Sequence, residues 1–380
     1  MSIHAHVFKG LEGVYVIDSA ICLIDTENGA LYYAGYDVRE LVEKSSFEEV
    51  AFLLLHQRLP TKSEFKEFTG RLRASLDLES RHIETIRRHA GNLDTLTILA
   101  ELMVLEGSGK KGGEPGDLEA AINAIAKVGS FFSAIIRIRS GEDYVPPRKD
   151  LSFAENILYM MKGGVYRKEH AEILDDLLIL HAEHGIPAST FASIVTASTL
   201  SDLYSSIAAG MLALKGPLHG GASEASYAQA LRIGSAEKVP QWVESTLAEK
   251  KKIMGFGHRV YKIYDPRATV VKQLIARHAA AMDSEAKRLY EVTKALEDYG
   301  QKVLAPRGIY PNVDLWTPIL YRMIGIPPDS FTAVFAVSRT AGWAAHILEY
   351  WRDNKLIRPL HLYVGEHPRK YLPLELREVS

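Results

Sequence analysis

Apolar positions recur at helical spacing over most of this chain, and at strand spacing only near its start. Val14-Tyr-Val-Ile17, Ile21-Cys-Leu-Ile24 and Leu31-Tyr-Tyr33 are short apolar runs parted by turn residues, which predicts a small meander or hairpin. Ser46-Phe-Glu-Glu49 has the form of a capping box, with Phe47, Val50 and Leu54 on one face and a stop at Leu59-Pro60. Thr61-Lys-Ser-Glu64 opens the next helix in the same way, carrying Phe65 and Phe68. A helical segment covers Leu96 to Leu105. Further helices are predicted over 118–138, 152–161, 169–184, 188–214, 223–233, 241–253, 267–281, 284–299, 316–324 and 330–353. The fold class is therefore mainly α with a small N-terminal β element, free of internal repeats and low-complexity segments.

Hydrophobic residues make up 47% of the 380 and charged residues 24%, an ordinary globular balance with room for two cored domains. A formal net charge of −2 gives no global pull toward nucleic acid or anionic membrane, so any anion binding is local. Between Gly185 and Leu214 only Asp202 is charged, but the many Ser, Thr and Ala residues suit close helix packing better than a bilayer. The start of the chain lacks an apolar run of signal-peptide length. The single Cys22 excludes an internal disulfide and reads as a small buried apolar residue. A soluble, cytoplasmic protein is expected, with neither nucleic acid nor membrane as a partner.

Candidate chemistry gathers in three loops. Lys215-Gly-Pro-Leu-His219-Gly-Gly221 and Gly255-Phe-Gly-His258 each hold a glycine-flanked histidine, and Arg307-Gly-Ile-Tyr-Pro-Asn-Val-Asp314 ends on a carboxylate. Glycine removes the Cβ that would keep a ligand from backbone and imidazole. Two such histidines, one carboxylate and several arginines suit proton transfer beside an anion. Each signal has a plainer reading. Either histidine fits a tight turn, and Asp265-Pro-Arg267 fits a helix start with Asp as N-cap and Pro at N1. His181 and His184 have a metal-compatible spacing but no companion carboxylates in a zincin pattern, so no metal is expected; His184 alternatively faces a ligand carboxylate. Gly107-Ser-Gly-Lys-Lys-Gly112 formally matches a dinucleotide fingerprint. It follows a helix instead of a strand, which favours a flexible linker and makes an NAD-dependent dehydrogenase a poor reading.

Taken in order, these segments identify a resemblance. Gly10-Leu-Glu-Gly-Val, His181-Ala-Glu-His184, Gly216-Pro-Leu-His-Gly-Gly, Gly257-His-Arg-Val-Tyr-Lys and Asp265-Pro-Arg are similar to motifs of the citrate synthase family, in its shorter bacterial and archaeal form. So are Tyr310-Pro-Asn-Val-Asp314, Ser338-Arg-Thr-Ala-Gly-Trp343, His346-Ile-Leu-Glu349 and Ile357-Arg-Pro359. The resemblance spans nearly the whole chain. It implies an acyltransferase that condenses acetyl-CoA with oxaloacetate and water, without a cofactor. Asp314 is implied as base, His219 as donor to the thioester oxygen and His258 as acid toward the ketone. His184, His258, Arg267, Arg339 and Arg358 are implied as oxaloacetate or citrate ligands, Arg358 reaching the partner's site in a homodimer. Coenzyme A is expected along Lys251, Met254, Gly255, Phe256, Gly257, Arg259, Lys262, Arg307 and Asn312, which offer cations and backbone amides.

The implied architecture is a large helical domain of residues 1–219 and 318–380 and a small one of 220–317, with the site in the cleft. Some positions depart from the family pattern. Asp314-Leu-Trp-Thr-Pro318 replaces a smaller wall after the base, which bears on the acyl group accepted. Ala34 stands where Arg often precedes Gly-Tyr, and Arg88 to Asp94 lacks a His-Pro-Met. Two rival readings stand beside the first. One is a 2-methylcitrate synthase using propionyl-CoA, which differs by one methylene. The other is a non-catalytic helical interaction protein on the same fold.

Overall fold

The computed structural model describes residues 7–110, 117–258 and 260–377. Their only sheet is an antiparallel meander of β1 (Cys22–Asp25), β2 (Ala30–Tyr33) and β3 (Tyr36–Asp37), in which Cys22 pairs with Tyr33 and Tyr33 with Tyr36. Val14–Ile17, expected to be a strand, is irregular. Tyr15 is almost wholly exposed, and among the described residues no strand pairs with this run.

Sixteen α-helices follow among the described residues: α1 (Val38–Lys44), α2 (Phe47–His56), α3 (Lys62–Ala74), α4 (Ser80–His89), α5 (Thr95–Gly107) and α6 (Leu118–Arg139). Then come α7 (Phe153–Lys162), α8 (Lys168–His181), α9 (Ala188–Ser198), α10 (Leu203–Leu214) and α11 (Ala222–Ile233). The last five are α12 (Val239–Ala248), α13 (Pro266–Arg277), α14 (Ser284–Leu304), α15 (Val313–Ile324) and α16 (Phe331–Trp351). Both expected N-caps form: Ser46 caps α2 and Thr61 makes a full capping box with Glu64.

The single helix expected over 188–214 is two helices. Leu200 has a left-handed φ of 63°, and Asp202 restarts the chain as N-cap of α10 through the Ser205 amide. The open end of α9 is closed from a distance, since Trp351 Nε1 donates to the Ala197 carbonyl and Asn354 Nδ2 to that of Ser198. The helix expected over 241–253 starts at Val239 and stops at Ala248, before Lys250 at φ 55°.

Helix α6 is long and apolar enough to cross a membrane by composition alone, but most of it is buried against α5, α7 and α16. Helix α16 packs on α2, α6, α8, α9 and α10, whereas α11 to α15 pack largely on one another. Helix α8 meets that second set at α13 and α15, and α16 meets it at α11. The expected border between residues 317 and 318 falls inside α15, which carries Pro318 in its interior.

Candidate active site

Two loops are stitched together edge to edge to hold His258 and Asp314. The Gly257 amide donates to the Tyr310 carbonyl (2.7 Å), the Asn312 amide to Gly255 (2.9 Å), and the Asp265 amide to Pro311 (3.3 Å). Asn312 caps α15: its Oδ1 accepts from the Asp314 amide at 3.0 Å, and its Nδ2 donates to the Gly257 carbonyl at 2.8 Å. Gly255 is required twice over. Its φ is 82°, and a Cβ would lie 2.8 Å from the Cα of Leu315. The loop therefore lies directly on the first turn of α15, next to the Asp314 backbone.

Each histidine is held in one tautomer. His258 Nδ1 accepts from the amides of Val260 and Tyr261, both at 3.1 Å, so in the neutral ring the proton sits on Nε2. His219 is the reverse. The amide of Ser189, in the first turn of α9, donates to its Nε2 at 3.2 Å, and the Ser189 hydroxyl lies 2.8 Å from the same atom. Its proton therefore sits on Nδ1. Burial pushes both imidazoles down to about 4, aided by Arg339 at His219 and by Arg267 at His258. Both are uncharged donors at neutral pH. In carbon-detected NMR, their Cε1–H signals are expected to stay flat from about pH 8 to about pH 5. A midpoint near the ordinary histidine value in either ring would contradict this assignment.

Asp314 accepts a 2.6 Å hydrogen bond from Ser223 Oγ. Burial raises its pKa; the Ser223 bond and the Arg267 charge only partly offset this. A carboxylate so placed is a stronger base than an exposed one. Asp265 caps α13 as expected and also grips Arg267 in a two-point fork, 3.1 Å at Nε and 2.8 Å at Nη2. Burial works against the charge on Arg267, and the Asp265 carboxylate outweighs it, so the arginine stays charged.

The opposite wall comes from the end of α8 and from α16. His184 stands edge-on to His258 with ring centroids 5.2 Å apart, and its Nε2 is buried without a partner among the described residues. His181, three residues earlier, lies tilted against Phe335 with ring centroids 3.9 Å apart, while its carbonyl accepts from Arg339 Nε at 2.8 Å. The His181 ring thus lies against Phe335 and the His184 ring against His258. Arg339 is buried, and the nearby carboxylate of Glu183 supports its charge against burial. Glu183 lies over Gly342, where a Cβ would fall 2.2 Å from its Oε2, and pairs with His346 at 3.1 Å.

The structure thus brings His184, His219, His258, Arg267, Asp314 and Arg339 into one electrostatically linked group. It leaves Arg358 outside that group, exposed in the segment after α16. The expected coenzyme A residues divide. Lys251 is exposed and paired with Glu249, Lys262 and Arg307 are exposed, and Arg259 lies outside the described residues. The backbone of Met254 is held by Gln229 through bonds of 2.8 and 3.2 Å. Phe256 packs on Gly300, and the Asn312 side chain is engaged as a cap and splint. Sequence reasoning did not find Ser189, Ser223 or Tyr261. Ser189 and Ser223 each stand in the first turn of a helix behind a site residue, a position at which a hydroxyl often orients a neighbour.

Trp316 is not a wall beside the base. Its indole donates to the buried Glu297 at 3.1 Å and packs against Tyr290 within the α11–α15 set. One further cluster, Glu79, His82 and Glu106, has metal-like spacing. His82 Nδ1 already accepts the Glu79 amide (3.2 Å), leaving Nε2 protonated toward Glu106 (3.2 Å), and Lys110 takes the other Glu106 oxygen (3.0 Å). The 3.2 Å approach of His82 Nε2 to Glu106 Oε2 ties α4 to α5.

Comparison with known proteins extends this picture to the full chain. The family model described as citrate synthase, C-terminal domain, matches residues 10–360. A citrate synthase of Saccharolobus solfataricus is 38% identical over 98% of this chain and 99% of its own. A crystal structure of citrate synthase from Thermotoga maritima superposes with a TM-score of 0.89 at 43% identity, over 98% of this chain and 100% of that one. The citrate synthase of Thermoplasma acidophilum, solved as a ternary complex with carboxymethyl coenzyme A and oxaloacetate, superposes with a TM-score of 0.93 at 36% identity, again over 98% and 100%. The loops that hold His219, His258 and Asp314 all lie within the matched span, and the chain belongs to the citrate synthase family.

Proposed function

We propose that this site joins the methyl carbon of acetyl-CoA to the ketone carbon of oxaloacetate and then releases citrate and coenzyme A. The observation that carries the reading is the pair of neutral histidines locked in opposite tautomers beside a carboxylate of raised pKa. A thioester methyl is a very weak acid. Asp314 removes its proton while His219 Nδ1–H stabilises the developing enolate oxygen; a donor of this kind is worth about 2.7–4 kcal/mol. The enol carbon attacks the ketone, whose oxygen takes the His258 Nε2 proton. Water then cleaves the citryl thioester. Arg267, Arg339 and His184 hold the carboxylates, and the exposed cations Lys251, Lys262 and Arg307 meet coenzyme A phosphates. No further cofactor is needed for these steps.

The same reading makes the working form a homodimer, with Arg358 completing the partner's site. Supporting this, the segment after α16 carries Leu360, Val364, Tyr371 and Leu374, each at least 70% exposed, a string of apolar side chains that needs a surface to lie on. It also makes residues 220–317 a small domain that closes over oxaloacetate and excludes water, and it places the enzyme in the cytoplasm. The test is direct. Acetyl-CoA and oxaloacetate should together yield free thiol and citrate, and neither substrate alone should. A faster reaction with propionyl-CoA would transfer the assignment to 2-methylcitrate, and absence of both products would leave only an interaction protein.

A further inference from the structure

One buried donor in the site has no role in the steps above. Tyr261 is 2% exposed, and its hydroxyl has no hydrogen-bond partner among the described residues. Its ring centroid lies 4.8 Å from that of His258 and 5.5 Å from that of His184. The turn that sets the His258 tautomer also sets this ring, because the Tyr261 amide is one of the two donors to His258 Nδ1. The side chain is thereby folded back on the imidazole instead of leaving with the loop.

Buried hydroxyls are normally paired, and one left unpaired costs stability. A donor count says what would pair it. A keto-dicarboxylate brings two carboxylates and one ketone oxygen, and His258 Nε2–H faces the ketone in the reading above. Arg267 is already engaged through Nε and Nη2 by Asp265, and Arg339 through Nε by the His181 carbonyl. Among the described residues, the donors still open around the His258 ring include the outer guanidinium N–H groups, His184 Nε2 and the Tyr261 hydroxyl. The last two are both buried and unpartnered, on rings in edge contact. Burial raises the Tyr261 pKa, so the phenol keeps its proton and is a donor to an anion.

We propose that the Tyr261 hydroxyl is a substrate ligand that donates a hydrogen bond to a carboxylate of the keto-dicarboxylate, alongside His184. This rests on the condensation reading above, and the experiment separates the two. Tyr261→Phe deletes one oxygen and keeps the ring. Wild type and variant are titrated calorimetrically with oxaloacetate, followed by steady-state kinetics and ligand-free melting. The expected result is an oxaloacetate Kd and KM raised about tenfold to a hundredfold. The KM for acetyl-CoA should be unchanged, and the ligand-free Tm should not fall, because no partner is lost. Equal oxaloacetate affinity in the two proteins would overturn the inference while leaving the condensation reading intact. So would a lowered Tm with both substrates weakened alike, which is the mark of a packing role. Tyr261→Leu guards the comparison: if only the loss of the ring weakens oxaloacetate, the hydroxyl is not a ligand. Failure of the wild type itself to bind oxaloacetate would remove the condensation reading, and this inference with it.

Discussion

Asp314→Asn is expected to slow condensation roughly a hundred- to ten-thousand-fold while oxaloacetate affinity stays close to wild type. The amide keeps the size of the side chain and can still accept from Ser223 Oγ, so the first turn of α15 and its splint to Gly257 are preserved. What it lacks is an oxygen basic enough to take the methyl proton. Arg267, Arg339 and His184 are untouched, and one buried negative charge beside a dianion is removed. Stopped-assay kinetics combined with oxaloacetate calorimetry checks both halves. Loss of oxaloacetate binding in step with activity would reassign Asp314 from base to structural anchor.

Arg358 is expected to serve the neighbouring chain's site, and mixing two inactive variants should reveal it. Asp314→Ala and Arg358→Ala proteins are each expected to be nearly inactive. Unfolded, mixed in equal amounts and refolded, half the dimers pair one of each. In a mixed dimer one site inherits both defects and the other neither, so activity should recover to about a quarter of wild type. The structural reason is the position of Arg358. It stands exposed in an irregular segment, beyond the contacts that hold Trp351 and Asn354 against the end of α9. If Arg358 completed its own chain's site, every site would keep one defect and the mixture would stay inactive.

Local features of the fold were legible wherever one side chain decides the outcome. The caps Ser46, Thr61 and Asp265 bond to amides two or three residues away, so their roles follow from spacing alone. The break between α9 and α10 was hidden because Ser, Thr and Ala fit a helix interior and a helix end about equally well. Only the tertiary caps from Trp351 and Asn354 make an end there inexpensive to expose. Helices α1 and α4 were missed for another reason: α1 is seven residues long, and α4 has little beyond Ile83 and Ile86 to mark a face.

In the site, residue types were legible and their states were not. Nothing local to His219 says that a serine amide thirty positions away fixes its tautomer. The whole segment from Asp314 to Pro318 was read as a wall, and within it Trp316 follows Asp314 by two positions. On a helix that offset turns it well away from the base, toward Glu297.

The splice between the two loops has a consequence for how such a chain can be recombined. The 255–257 and 310–312 segments, more than fifty positions apart, are joined by main-chain bonds and by Asn312. A crossover with a relative anywhere between them takes the histidine loop from one parent and the carboxylate loop from the other. Viable chimeras should therefore inherit both segments from a single parent, so that His258 and Asp314 descend as one linked block although the chain writes them far apart.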